Sequence, residues 1–166
     1  MTNALMKGHN IFPNRAVQSM ALAHREKLGQ ELLKRSRRIF EQRGRCDDNG
    51  ARIGALLDAG ADLSLRQHED GSTALLLLIG SGNLVLSRLL LQHDSPVNLQ
   101  DDDGEECIRT AEKNMKDFAV AKAHDSLIEW KAFIDEIRSK AKREKMLKEE
   151  KEKARSHANE MLVLVC

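Results

Sequence analysis

Aromatic side chains are scarce in this sequence. Its 166 residues include four Phe, one Trp and no Tyr, so a hydrophobic core has to be built from Leu, Ile, Val and Ala. Val and Thr are sparse, and no alternation of polar and apolar residues persists over five positions, which argues against a β-sheet. The composition therefore predicts an all-α fold.

Cysteines and long apolar runs are also few. Cys46, Cys107 and Cys166 are odd in number and widely separated, which favours free thiols in a reducing compartment over a disulfide framework. No apolar run approaches the ~20 residues of a membrane span, and polar residues interrupt the first positions, where a signal peptide would be apolar. We expect a cytoplasmic protein.

Motifs for catalysis and metal binding are absent from the sequence. The six histidines form no pair at metal-ligand spacing, no Cys-x-x-Cys occurs, and there is neither a phosphate-binding glycine-rich loop nor a Gly-x-Ser-x-Gly elbow. The acidic triplet 101–103 offers a weak alternative, a cation site. We expect no enzyme activity, no catalytic residue, no metal site, no cofactor and no small-molecule substrate.

A repeated pattern is the strongest positive feature. Gly71 and Gly104 each follow an Asp and lie 33 residues apart. Asp70-Gly71 predicts a tight turn with positive φ, Thr73 predicts a helix N-cap, and residues 74–79 predict a short buried helix.

Residues 80–83 then predict a turn rich in glycine, and leucines at helical spacing predict a second helix over residues 84–91. A loop that contains Pro96 ends this helix. Residues 68–100 therefore predict a helix-turn-helix-loop unit.

This stretch resembles one complete ankyrin repeat, whose period is 33 residues. Residues 56–64 resemble the end of a preceding repeat, and residues 101–104 open a third one, in which Cys107, Ile108 and Ala111 take buried positions. The resemblance covers residues 50–125. It implies a short all-α solenoid of about three repeats, with degenerate outer repeats as caps.

The sequence departs from the family pattern in two places. The usual Thr-Pro-Leu-His opening has become residues 73–76, Thr-Ala-Leu-Leu, and the glycine between the helices of the third unit is replaced around Asn114-Met115. The hydrogen bonds of the family's histidine are therefore not expected here. We expect the inter-helix turn of the third unit near residues 114–115.

Long helices are predicted on both sides of the repeats. Residues 14–43 form a helix whose apolar residues fall mostly on one stripe: Val17, Met20, Leu22, Leu28, Leu32, Leu33, Ile39 and Phe40. Ser126 to Glu129 has the form of a capping box and opens a C-terminal helix whose stripe comprises Leu127, Trp130, Ile134 and Ile137. The chain thus divides into a basic N-terminal arm (1–46), an ankyrin-like array (47–125), and a capping helix with a charged, frayed tail (126–166).

Charge is distributed in blocks. Residues 1–46 carry ten basic and three acidic residues, a net charge of +7, whereas residues 47–137 carry eight basic and eighteen acidic residues, a net charge of −10. The basic arm could fold back on the acidic array, or the two could attract different partners. A basic cluster in the arm comprises Lys34, Arg35, Arg37 and Arg38.

The resemblance implies that the protein binds another protein through the loop tips and the concave face of the repeats. The acidic tips predict a partner with a basic contact segment. A strict heptad is not sustained, so a monomer is favoured over a coiled-coil dimer. The residues predicted to contact the partner are Gln67, His68, Glu69, Asp70, Ser72, Leu77, Gly80, Ser81, Asp101, Asp102, Asp103, Glu105, Thr110, Lys113 and Asn114.

Two other functions remain open at this point. The glutamates at 149–152 and the apolar residues 161–166 resemble the C-terminal secretion signal of bacterial type IV effectors, which act in the host cytosol. Alternatively, the basic cluster contacts nucleic acid or an anionic membrane surface, although no aromatic residue is interleaved with it. The sequence does not separate an adaptor from an inhibitor.

Overall fold

Six α-helices make up the part of the chain that the computed structural model describes, residues 15–42, 49–99, 105–120 and 124–165. These ranges contain no strand, which confirms the all-α class. The helices are α1 (Arg15–Glu41), α2 (Asn49–Asp58), α3 (Ala74–Gly80), α4 (Leu84–Gln92), α5 (Glu105–Val120) and α6 (His124–Val165).

The helices stack in two layers. In one layer α1 contacts α3, and α3 contacts α5; in the other α2 contacts α4, and α4 contacts α6. Each helix of the first layer also contacts the helix that follows it in the chain. The result is three helix pairs in succession, with α1 and α6 as the longest members.

The central pair follows the predicted pattern closely. Thr73 caps α3, since its hydroxyl accepts a hydrogen bond from the Leu76 N–H at 3.2 Å. Gly71 has a φ of 70° and Gly82 a φ of 76°, so both turns use conformations that favour glycine. The helix-turn-helix-loop prediction is therefore confirmed over residues 68–99.

The core is aliphatic, as the composition predicts. Leucines and isoleucines of α1, α3 and α4 are buried, and so are Cys107, Ile108 and Ala111 of α5, as expected. Trp130 and Phe133 are the buried aromatic residues of α6, and their ring centroids lie 5.8 Å apart in an edge-to-face arrangement. Cys107 forms no disulfide bond with another described residue.

The apolar stripe predicted for α1 is only half correct. Leu32, Leu33 and Ile39 are buried, whereas Met20 and Leu22 are exposed, and the side chain of Val17 lies outside the described residues. All described side chains from 18 to 27 are exposed because contacts to the rest of the chain begin near Arg25, whose carbonyl accepts a hydrogen bond from the Asp62 N–H.

Two local predictions for the last helix pair are wrong. No turn occurs at Asn114-Met115, because α5 continues to Val120 and residues 105–120 contain neither glycine nor proline. The capping box is wrong as well, because α6 begins at His124 and Ser126 lies inside the helix. The predicted stripe of α6 is confirmed, since Trp130, Ile134 and Ile137 are buried.

Hydrogen bonds fix the long helix α6 to the loop after α4, and one of them joins Lys140 Nζ to Asp94 Oδ1 at 3.2 Å. The Glu144 carboxylate accepts from the N–H groups of Val97 and Asn98, each at 3.2 Å, and the Asn98 amide donates to the Ala141 carbonyl at 3.1 Å. All side chains from 145 to 158 are exposed, and the helix continues to Val165. No helix among the described residues has both the length and the apolar character of a membrane span.

Candidate binding groove

A groove of about 1140 Å³ runs across the first layer of helices, from α1 over α3 to α5. The loop before α3 and the turn after it close two of its sides. Its lining residues are Arg37, Phe40, Glu41, Asp70, Ser72, Leu76, Leu77, Gly80, Ser81, Gly82, Glu106, Arg109, Thr110, Lys113, Asn114 and Asp117.

Gly80, the last residue of α3, lies on the floor of the groove close to Phe40 of α1. A Cβ atom at this position would lie 2.9 Å from Cε2 of Phe40 and 3.8 Å from the Thr110 methyl carbon. Because Gly80 carries no side chain, the Phe40 ring packs directly against the backbone here, and no room remains for a methyl group unless the ring moves. Phe40 is 41% exposed, so its ring is available to a ligand.

One edge of the groove carries three carboxylates around a single guanidinium. Arg37 contacts Asp70 at 3.2 Å and Glu69 at 3.3 Å, and its Nε lies 3.6 Å from Glu41. A hydrogen bond from the Ser72 N–H lowers the pKa of Asp70 below its ordinary value of 3.8, and the charge of Arg37 also lowers this pKa. Asp70 is therefore ionised at neutral pH, and two further basic residues, Lys34 and Arg66, lie beside this edge of the groove.

The opposite edge is formed by α5, which is held against α3. The Asn114 amide donates a hydrogen bond to the Ile79 carbonyl near the end of α3. Thr110 donates its hydroxyl hydrogen to the Glu106 carbonyl at 2.8 Å, which directs its methyl group toward Gly80. Lys113 and Asp117 are exposed at the mouth of the groove.

Most of the predicted contact residues meet in or beside this groove. Eight of them line it: Asp70, Ser72, Leu77, Gly80, Ser81, Thr110, Lys113 and Asn114. Gln67, His68 and Glu69 line an adjoining depression of about 460 Å³ against α1. Asp101, Asp102 and Asp103 lie outside the described residues, and so does the side chain of Glu105.

Phe40 also lines the groove, although the sequence did not predict it as a partner contact. It was placed on the apolar stripe of α1, and nothing local distinguishes it from the buried members of that stripe. Its sequence position gave one signal, because it lies three residues after Arg37 and therefore on the same helix face.

The four members of the predicted basic cluster differ in their contacts. Arg35 forms an ion pair with Glu31 at 2.6 Å on the same helix, and Arg37 reaches the acidic loop before α3. Lys34 and Arg38 are exposed. The second half of the basic arm thus folds back on the acidic part of the chain, which is one of the two outcomes that the charge blocks allowed.

The described residues contain no group of three side chains placed to hold a metal ion. Comparisons of the chain with protein-family models, with curated proteins and with solved structures found no match.

Proposed function

We propose that this protein is a non-enzymatic interaction module that binds a segment of another protein in the groove formed by α1, α3 and α5. The observation that carries the proposal is the groove itself, because eight residues chosen from the sequence as partner contacts line one continuous cavity. Its apolar floor and charged edges match the composition of protein interfaces, in which an apolar centre is surrounded by a polar rim.

The same proposal describes the fold as a short ankyrin-type array. Support comes from the 33-residue spacing of Gly71 and Gly104, and from the order in which the helices of each layer contact one another. In this description α1 and α2 form the leading repeat, α3 and α4 the central one, and α5 with the first half of α6 the closing one. The long helices then act as caps, which a repeat array needs at its ends.

The groove is well suited to recognition because its floor is rigid. Leu75, Leu78 and Ile79 of α3 are fully buried beneath it, and close packing of such residues resists deformation. A ligand would therefore meet a preformed surface, which reduces the entropic cost of binding.

The ion pairs of Arg35 and Arg37 favour this function over nucleic-acid or anionic-surface binding. A phosphate group would have to displace a carboxylate that already contacts each guanidinium. The proposal leaves both roles of a binding module open, an adaptor or an inhibitor, and both cellular settings, the cytoplasm of the producing cell or that of a host.

Site-specific photocrosslinking tests the function. A photoreactive amino acid is introduced at Lys113, at the mouth of the groove, or at Val85, which is 78% exposed on α4 in the other layer. Irradiation in the producing cells should yield a defined covalent adduct from position 113 and none of that size from position 85. Identical adducts from both positions, or none from position 113, would contradict the proposed binding site.

A further inference from the structure

We propose that the second half of α6 pairs with the same segment of a second copy of this chain, with the two helices antiparallel. The segment spans residues 145–165. This surface is separate from the groove, so the inference goes beyond the proposed function and does not depend on it. The contact face of the segment comprises Leu147, Lys151, Ala154, Ala158, Met161 and Val165.

The second half of α6 projects from the array. Glu144 accepts hydrogen bonds from the loop after α4, whereas all side chains from 145 to 158 are exposed. Residues 145–165 add about 30 Å of helix at 1.5 Å per residue. An isolated helix is only marginally stable in water, and packing of an apolar face supplies most of the stability of helices in proteins. A second helix would supply that packing here.

The contact face has the spacing of a coiled coil. Its six residues follow one another at intervals of four and three, which is the a and d pattern of a heptad. Lys151 is its single charged member, and Leu147 is 54% exposed and so available to a second helix. The pattern is confined to this segment because the residues before it pack against α4 and α5. For that reason no heptad is sustained over the whole helix.

The position of α4 determines the direction of the second helix. Glu136 and Lys140 of α6 form ion pairs with α4 and with the loop after it. Leu147 lies seven residues, or about two turns, after Lys140, so the contact face continues the line of α6 that faces α4. A parallel second helix on this line would run back into the space that α4 occupies. An antiparallel helix avoids α4, because the array of the second copy then lies beyond Val165.

The antiparallel register of greatest overlap brings small and apolar residues together. The two alanine pairs at its centre allow the helix axes to approach closely. Lys151 lies opposite an apolar residue, so its stem can pack while its ammonium group reaches water. A parallel pair would instead place Lys151 against its own counterpart. The antiparallel register pairs Leu147 with Val165, Lys151 with Met161, and Ala154 with Ala158 of the second copy.

Arg155 distinguishes the two directions. It is exposed and lies beside the contact face, one position after Ala154. In the antiparallel register it lies near Arg155 of the second copy, so two positive charges repel each other. In a parallel pair it would lie near Glu150 of the second copy, where flanking charges of opposite sign attract. Arg155→Gln should therefore tighten an antiparallel dimer about threefold and would weaken a parallel one.

Sedimentation velocity of the full chain over a wide range of protein concentration tests the inference. The wild-type protein should change from monomer to dimer as its concentration rises. Leu147→Glu should weaken dimerisation at least about tenfold, because it places an unpaired charge in the contact. Met146→Glu is the matched control, since Met146 is 61% exposed but lies outside the contact face. This control should leave dimerisation unchanged, with circular dichroism to verify that both variants are folded.

Three results would overturn the inference. The first is a monomer at every concentration, and the second is an equal loss of the dimer in the Met146→Glu and Leu147→Glu variants. The third is a weaker dimer for Arg155→Gln, which would indicate parallel helices. Each of these results leaves the proposed function intact, because crosslinking at position 113 tests a different surface.

Discussion

Replacing Gly80 with Ala should have almost no effect on stability, although Gly80 lies in a helix. Alanine is favoured over glycine by roughly 0.5–1 kcal/mol in a helix, because glycine loses more backbone entropy on folding. The added Cβ, however, would lie 2.9 Å and 3.3 Å from two atoms of the Phe40 ring. Displacing that ring from its preferred rotamer costs about 0.5–1.5 kcal/mol, which offsets the gain.

The energetic cost of displacing the Phe40 ring should disappear when that ring is removed. In a Phe40→Ala background we expect Gly80→Ala to stabilise the protein by roughly 0.5–1 kcal/mol, so the two substitutions are coupled by about 1 kcal/mol. Urea denaturation of the four proteins, followed by far-ultraviolet circular dichroism, measures this coupling. The fluorescence of Trp130, which is buried in α6, provides a second probe of the same transition.

Gly54 of α2 provides the matched control for this cycle. Apart from its chain neighbours and the backbone of its own helix, no described atom lies within 4 Å of the position that its Cβ would occupy. Gly54→Ala should therefore raise the free energy of unfolding by the full amount of roughly 0.5–1 kcal/mol, both in the wild-type protein and in the Phe40→Ala variant. If Gly80→Ala changes the free energy of unfolding equally with and without the Phe40 ring, the described contact between Phe40 and Gly80 is refuted.

Four further substitutions have expected outcomes in urea denaturation. Thr73→Ala should destabilise the protein by about 1 kcal/mol, because it removes the N-cap of α3. Ser36→Ala should stabilise the protein by about 1 kcal/mol, because the Ser36 hydroxyl is buried with no hydrogen-bond partner among the described residues. Ser87→Ala should instead destabilise it, because the Ser87 hydroxyl donates a hydrogen bond of 2.8 Å to the Asn83 carbonyl. Asp62→Asn should lower the free energy of unfolding by less than about 1 kcal/mol at pH 7. A hydrogen bond from Ser64 lowers the pKa of Asp62 below 3.8 in the folded state. The difference in stability between the two proteins should therefore vanish as the pH falls through and below that value.

The sequence predicted the central helix pair well because its signals are local. A glycine at each positive-φ position, Thr73 at an N-cap, and leucines at helical spacing each act within a few residues of themselves. Such signals need no knowledge of the rest of the chain. For the same reason, places within the repeat unit alone were enough to select eight residues that line the groove.

The features that were missed depend on contacts between distant parts of the chain. Phe40 borders Gly80, and Arg37 meets Asp70, across 40 and 33 residues of sequence respectively. The spacing within α1 places Phe40 and Arg37 on one helix face, but it does not indicate which residue either of them contacts. The apolar stripe therefore predicted Phe40 as a core residue, and the basic cluster predicted Arg37 as a surface cation.

The misplaced turn in the last helix pair has a different cause. Asn114 was assigned to a turn because it takes the place of the family's glycine, but no glycine or proline there interrupts the helix. In the structure its side chain donates to the Ile79 carbonyl of the neighbouring helix instead of its own backbone. A residue that often ends helices thus serves as a contact between two of them.

The length of α6 turns small rotations of the last helix pair into large displacements. Glu144 accepts hydrogen bonds from the loop after α4, and the 21 residues that follow it extend the helix by about 30 Å. A tilt of about 10° at that point would move Val165 by about 5 Å, from the same geometry. Distance measurements between labels on α3 and on the far end of α6 would therefore register a shift of α5 too slight to be seen within the groove itself.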